Sequence, residues 1–148
     1  MCQLSNAAFE FGHRDRKWNF TLDAFEGVKI QEYWHEDMGG EESIKLYKGE
    51  CGSFGSFEHF IASVSVIQFE DSYPLVQHCE EFAKINLQSR SHGRFVSEWN
   101  GRIPLKRKMP PCPDLVGSVY QSREAWDWVT YVAQSHNEFY AYEWATSG

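Results

Sequence analysis

Residues 138–146 read Glu-Phe-Tyr-Ala-Tyr-Glu-Trp-Ala-Thr, and this run of aromatic and small side chains predicts a β-strand. Successive side chains of a strand point to opposite faces of the sheet. One face of this strand carries three large aromatic residues: Tyr140, Tyr142 and Trp144. The other face carries Phe139 and Ala141. The pattern does not distinguish which of the two faces is buried.

Several other stretches predict strands. Residues 17–25 alternate, with Trp18, Phe20, Leu22 and Ala24 on one face. Three further runs continue the series: residues 28–35, 43–48 and 59–70. The last of these is rich in Val, Ile and Phe on both faces, which predicts a central strand covered on both sides. Asn100-Gly101 is a strong hairpin turn signal and predicts paired strands over residues 94–99 and 102–107.

Two stretches predict helices. Ser72 is a suitable N-cap and Pro74 fits a first helical turn, so a helix is predicted over residues 72–88. Ser122 begins a second predicted helix that extends to residue 135. The connection at residues 109–117 contains three prolines and predicts an irregular, rigid segment.

These elements together predict an α+β fold. The length of 148 residues favours one domain spanning residues 1–148. Because hairpins need only short turns, we expect a mostly antiparallel sheet of about 6–7 strands. We expect two helices packed on one face of that sheet.

The composition restricts the function classes. Fourteen Lys and Arg against 21 Asp and Glu give a net charge of −7. Such a charge disfavours nucleic acid as a partner and suits a basic protein partner. The chain contains no apolar run of the length that a membrane span needs, so no membrane partner is expected. The one basic cluster, Lys106-Arg107-Lys108, predicts either contact with a phosphate or an acidic partner patch, or the charged guard of an edge strand. Nucleic-acid contact through this cluster is a further alternative.

The cysteines and the N-terminal residues favour a cytoplasmic protein. Cys2, Cys51, Cys79 and Cys112 are scattered, with no C-x-x-C pair. Residues 1–5 lack the basic segment and apolar core of a signal peptide. Reduced thiols in the cytoplasm are therefore the simplest expectation.

Candidate chemical groups are few. Cys51 lies in a Gly-rich loop with His59 nearby in sequence, an arrangement that a thiolate nucleophile could use. His35 and Glu143 are candidate acid–base groups, since a carboxylate buried between Tyr142 and Trp144 would be suited to proton transfer. The six histidines show no metal-ligand spacing, so we expect neither a metal nor a cofactor.

Aromatic residues are unusually abundant, with 11 Phe, seven Tyr and six Trp. Trp and Tyr are enriched at the contact centres of protein interfaces. The leading hypothesis is a non-catalytic protein-binding module, a small acidic inhibitor or neutraliser of the immunity, antitoxin or anti-defence type. Its predicted partner-binding residues combine acids and aromatics: Trp34, Glu36, Asp37, Glu41, Glu42, Trp99, Tyr140, Tyr142 and Trp144.

Two alternatives stay open at this point. The first is a small enzyme or small-molecule-binding domain with an aromatic pocket on a curved sheet and a His or Glu acid–base group. The second is homodimerisation through the aromatic face, which would replace a foreign partner by a second copy of the chain.

Overall fold

An antiparallel sheet forms the centre of the computed structural model, which describes residues 10–13, 16–19, 27–37, 40–54, 56–68 and 87–146. In these ranges six strands form the main sheet, in the order β3-β4-β8-β7-β6-β5. Their bounds are β3 Lys29–Asp37, β4 Gly40–Glu50, β5 Gln88–Arg90, β6 Val116–Ala125, β7 Trp128–Gln134 and β8 Glu138–Thr146. A separate antiparallel pair consists of β1 Glu10–His13 and β2 Arg16–Asn19.

The last strand lies in the middle of the sheet. β8 pairs with β4 on one side and with β7 on the other. Tyr142 faces Leu46 across one ladder and Tyr131 across the other. β8 is therefore buried on both faces, which explains why apolar side chains occur at both its odd and its even positions.

Each face of the sheet carries its own helix. α1 (Phe57–Gln68) packs against the face that we call the α1 face. The sheet residues of this face are Tyr47, Val132, Phe139 and Ala141. α2 (His92–Gly101) and the single turn α3 (Ile103–Lys106) pack against the opposite face, here called the α2 face. Its sheet residues are Ile44, Leu46, Val119, Tyr131, Ala133, Tyr142 and Trp144.

Local sequence explains both helices. Phe57, Phe60, Ile61 and Val64 of α1 are buried and follow the i, i+3, i+4, i+7 spacing of a helix face. In α2 the Ser91 side chain caps the N-terminus by accepting a hydrogen bond from the Arg94 amide at 3.0 Å.

The predicted fold class is confirmed, because the described residues form an α+β structure with one six-stranded antiparallel sheet and two main helices. One detail of that prediction is wrong. The two helices cover opposite faces of the sheet, not one, as the separate α1-face and α2-face cores show. The physical reason is that β4, β7 and β8 carry apolar residues on both faces, and each face must be covered.

Three of the predicted strands are confirmed. Residues 28–35, 43–48 and 138–146 correspond to β3, β4 and β8. The predicted central strand at residues 59–70 is instead helix α1 over most of its length. Its Val and Ile content suggested a strand, but the helical spacing of its buried residues determines the structure.

Two further predictions are wrong. The predicted hairpin around Asn100-Gly101 is helical, and Gly101 is the last residue of α2, directly before its C-cap Arg102. The predicted helix at residues 122–135 is the hairpin of β6 and β7, in which Val129, Tyr131 and Ala133 face the α2 core by strand alternation.

The remaining predictions fall partly outside the described residues. Residues 72–86 of the helix predicted over residues 72–88 lie outside the described ranges. Residues 20–25 of the first predicted strand also lie outside them. The proline-rich connection forms neither helix nor strand before β6 begins at Val116, as predicted. In the ranges that the structure describes, no helix combines the length and the apolar character needed to cross a membrane.

Candidate functional site

The structure divides the predicted partner-binding residues into two groups. The first group lies in the core of the α2 face: Trp99, Tyr142 and Trp144. Trp99, which is only 2% exposed, comes from helix α2 and not from a strand. These three rings therefore offer almost no surface to a partner.

Ring contacts and hydrogen bonds hold this buried group in place. The Trp99 ring centroid lies 6.0 Å from that of Tyr142 and 5.8 Å from that of Phe95. The Trp99 indole N–H donates to the Pro110 carbonyl at 3.1 Å. The Arg102 guanidinium lies 3.8 Å from the centre of the Trp144 ring, a cation–π contact. A part of the aromatic surplus thus belongs to the core.

The second group stays at the surface, at the end of the β3–β4 hairpin. Trp34 is 50% exposed and Ile30 is 46% exposed. Both side chains point to the same face of β3 as two acids, Glu32 and Glu36, because they share one strand parity. Glu41 lies directly opposite Glu36 in the ladder. We call these five residues the acidic hairpin surface.

Negatively charged side chains lie close together on the acidic hairpin surface. Like charges directly opposite each other in an antiparallel pair are destabilising, as with Glu36 and Glu41. The Trp34 indole N–H donates to the Glu32 carboxylate, which holds the ring beside the acids. The result is an exposed aromatic ring hydrogen-bonded to Glu32, with Glu36 and Glu41 on the same face and Lys45 opposite Glu32.

The remaining predicted contact residues lie beside this surface or at a distance from it. Glu42 is half-buried and accepts a hydrogen bond from the Trp144 indole at 3.2 Å, so it also has a structural role. Asp37 is at the end of β3, opposite Gly40 in the ladder. Tyr140 is half-buried on β8, and its hydroxyl donates to Glu138 at 3.0 Å. Burial, followed by this hydrogen bond, raises the pKa of Tyr140 to about 12.

β3 is an edge strand of the sheet, and no other described strand pairs with its outer side. The Lys108 ammonium donates to the Trp34 backbone carbonyl at 2.6 Å. A lysine at a strand edge opposes further strand pairing. The basic cluster at residues 106–108 is not itself a strand, but one of its members guards the edge of β3.

Glu143 occupies a second polar position, on the α1 face. It is buried, and both carboxylate oxygens accept hydrogen bonds. Tyr47 donates to Oε1 and the Trp128 indole donates to Oε2, each at 2.6 Å. Burial and, next, the neighbouring carboxylate of Glu143 raise the pKa of Tyr47 far above its usual range. Tyr47 thus stays a neutral donor to Glu143.

Glu143 belongs to a row of polar side chains that crosses the sheet. Glu32, Lys45, Glu143, Thr130 and Arg123 follow one another across β3, β4, β8, β7 and β6 by ladder register. The Lys45 ammonium lies 3.7 Å from the Glu32 carboxylate. The sequence alone pointed only to Glu143 of this row, because residues that are ladder partners on distant strands cannot be recognised from local sequence.

The other chemical candidates lie apart in the fold. His35 is opposite Glu42 on the β3–β4 hairpin. His59 is half-buried in α1, where burial lowers its pKa and its ring lies 6.0 Å from the Phe54 ring. Within the described ranges, no three His, Cys, Asp or Glu side chains converge as metal ligands would.

Both described cysteines are poor nucleophiles in the folded protein. Burial raises the pKa of Cys51, and burial followed by Asp114 raises the pKa of Cys112 to about 11. Because the thiolate is the reactive form, Cys112 is expected to react more slowly at neutral pH than an ordinary exposed thiol. We expect iodoacetamide to alkylate Cys112 much faster after denaturation than in the native state, measured by mass spectrometry of the Cys112 peptide. Equal native and denatured rates would contradict this expectation.

Comparison with models of known protein families, with curated proteins and with solved structures finds no match to this chain. Its function is therefore argued from the geometry of its own residues.

Proposed function

We propose that this chain is a non-catalytic protein-binding module that docks a basic partner through the acidic hairpin surface. The observation that supports this most directly is Trp34, half-exposed among Glu32, Glu36 and Glu41. Exposed aromatic rings provide large rigid contact areas, and tryptophan is prominent among the residues that dominate binding energy at interfaces. Single exposed apolar residues are common, so the argument depends on the ring and its acidic surroundings together.

Electrostatics supports a basic partner. The net charge is −7, and Glu36 and Glu41 place two acidic side chains opposite each other on this surface. Complementary fields accelerate association and select against wrong partners. In its full form the proposal is an inhibitor or neutraliser, of the immunity, antitoxin or anti-defence type, that occludes its partner's functional surface.

The alternative function is an enzyme or small-molecule binder with a Glu acid–base group. The observation that favours it is the burial of Glu143 on the α1 face. The hydrogen bonds argue against this alternative. Both carboxylate oxygens of Glu143 accept from neutral donors, and a carboxylate with a purely structural role has the same arrangement.

The binding proposal is tested with two variants. Glu36→Lys combined with Glu41→Lys should slow association about tenfold or more at low salt, since steering depends on charge. The difference should shrink as salt is raised, because the screening length falls to about 3 Å at 1 M ionic strength. Trp34→Ala should weaken affinity by about 2 kcal/mol, roughly thirtyfold.

The measurement is capture from the lysate of cells that naturally produce the protein, followed by surface plasmon resonance with the recovered partner. Asp114→Lys and Trp126→Ala are the matched controls, because Asp114 is exposed outside the acidic hairpin surface and Trp126 is 79% exposed at another turn. A partner retained by both controls and lost from the test variants supports the proposal. Equal capture by all variants, or a homodimer in light scattering with no captured protein, overturns it.

A further inference from the structure

A cavity opens on the α2 face at the end of the β3–β4 hairpin opposite the acidic hairpin tip. Its volume is about 210 Å³. The apolar wall consists of Leu46, Trp99, Tyr140, Pro110 and Pro111. Lys29, Lys48 and Gln31 complete the lining. The cavity therefore combines aromatic and proline surfaces with two cations.

The apolar wall is held in position before any ligand arrives. The Trp99 indole donates to the Pro110 carbonyl at 3.1 Å, which ties the proline-rich connection to helix α2. Proline restricts its own backbone, so adjacent prolines stiffen this wall further. The Tyr140 hydroxyl donates to Glu138, which orients that ring. A preformed pocket avoids part of the ordering cost of binding.

The two lysines of the cavity lie opposite each other, so their like charges repel. Lys29 and Lys48 are directly opposite each other in the β3–β4 ladder. The Lys48 ammonium lies 3.3 Å from Glu138, whereas no carboxylate of the described residues forms an ion pair with Lys29. Glu50 lies opposite Glu138 in the β4–β8 ladder and lines the adjoining surface with these three groups, so the four charges cancel. Of the two lysines, Lys29 has no ion pair with a described carboxylate, and it is the cation that can balance a ligand's negative charge.

We propose that this cavity binds a small single-ring aromatic carboxylate, with the ring against Tyr140 and the two prolines and the carboxylate between Lys29 and Lys48. The volume sets the ligand size, because a protein cavity of about 150 Å³ is enough for benzene. The remaining space accommodates a short acidic arm. Because only Lys29 of the two lysines lacks an ion pair with a described carboxylate, a monoanion is favoured over a phosphate dianion. This site is separate from the proposed protein-binding surface, so the failure of one proposal leaves the other standing.

The probe is phenylacetate, titrated into the full chain by NMR with the Trp99 indole N–H as reporter. We expect saturable binding in the millimolar range or tighter and a shift of that indole signal. Phenylacetamide, a neutral isostere, should bind at least about tenfold more weakly, because hydrogen bonds to charged groups are the stronger ones. Acetate alone should not saturate the site, since it lacks the ring.

Lys29→Gln with Lys48→Gln should weaken phenylacetate binding about tenfold or more, while Lys106→Gln, an exposed lysine outside the cavity, should leave it unchanged. The melting temperature of the double variant should change little, since the like-charge pair is removed together with the partly exposed ion pair of Lys48 and Glu138. No saturable binding to the parent chain, equal binding of phenylacetamide, or unchanged binding by the double variant overturns the proposal. Tighter binding of phenyl phosphate than of phenylacetate overturns the assignment to a carboxylate.

Discussion

Replacing Trp99 with alanine is expected to lower the free energy of unfolding by about 3–5 kcal/mol, the usual cost of truncating a buried Trp. Trp99 is 2% exposed and contacts the rings of Phe95 and Tyr142. Truncation leaves a cavity and also removes the donor to the Pro110 carbonyl. Such a loss is a large part of the stability of an ordinary domain.

Urea denaturation followed by circular dichroism measures the effect. Trp126→Ala is the matched control, because this 79%-exposed ring should change stability by no more than about 0.5 kcal/mol. Trp99→Phe keeps a ring in the core, so its free energy of unfolding should fall less than that of Trp99→Ala. If the alanine variant does not fold, Trp99→Phe still gives a measurable value. A Trp99→Ala variant as stable as Trp126→Ala would show that Trp99 is not a core residue.

Replacing Glu143 with alanine is expected to cost about 3 kcal/mol. The carboxylate accepts from Tyr47 and from the Trp128 indole, each at 2.6 Å. Removing it leaves both donors without this acceptor in a buried region, at about 1–3 kcal/mol for each unsatisfied group. The neutral donors cannot reorganise to replace it, because Tyr47 is only 1% exposed.

A double-mutant cycle isolates this interaction. Tyr47→Phe, Glu143→Gln and their combination should show a coupling energy of about 1 kcal/mol or more between the two side chains. Glu138→Ala is the control on the same strand, since its ion pair with Lys48 is partly exposed and is worth about 1 kcal/mol or less. If Glu143→Gln were more stable than the parent chain, the carboxylate would be held at a cost to stability. That result would favour the acid–base alternative.

Local sequence predicted β3, β4 and β8. β3 was predicted because the sequence Glu26-Gly27 indicates a turn before it, and its partner in the sheet is β4. α1 was missed although Phe57, Phe60 and Ile61 follow helical spacing, because its Val and Ile residues have high strand propensity. The β6–β7 hairpin was missed because Trp126, Val129 and Val132 follow helical spacing, whereas the strand places Val129 and Val132 on opposite faces of the sheet.

The candidate surfaces were predictable to different degrees. The acids and Trp34 of the hairpin were found from sequence, because a short turn between two strands places them together. Their grouping with Ile30 on one face follows from strand parity. The cavity near Lys29 was not found, since it needs Trp99 from α2 and Pro110 from the connection after α3. Those residues are distant in sequence and meet only through packing.

The sequence of residues 138–146 by itself determined that a strand forms there and which side chains share each of its faces, because backbone alternation is a local property. Only the tertiary structure decided that both faces are covered and that Trp144 and Tyr142 face α2 while Glu143 faces the α1 side. Burial depends on which helix packs on which face. Which helix packs on which face depends on the combined apolar surface of β4, β7 and β8. It cannot be predicted from one strand alone.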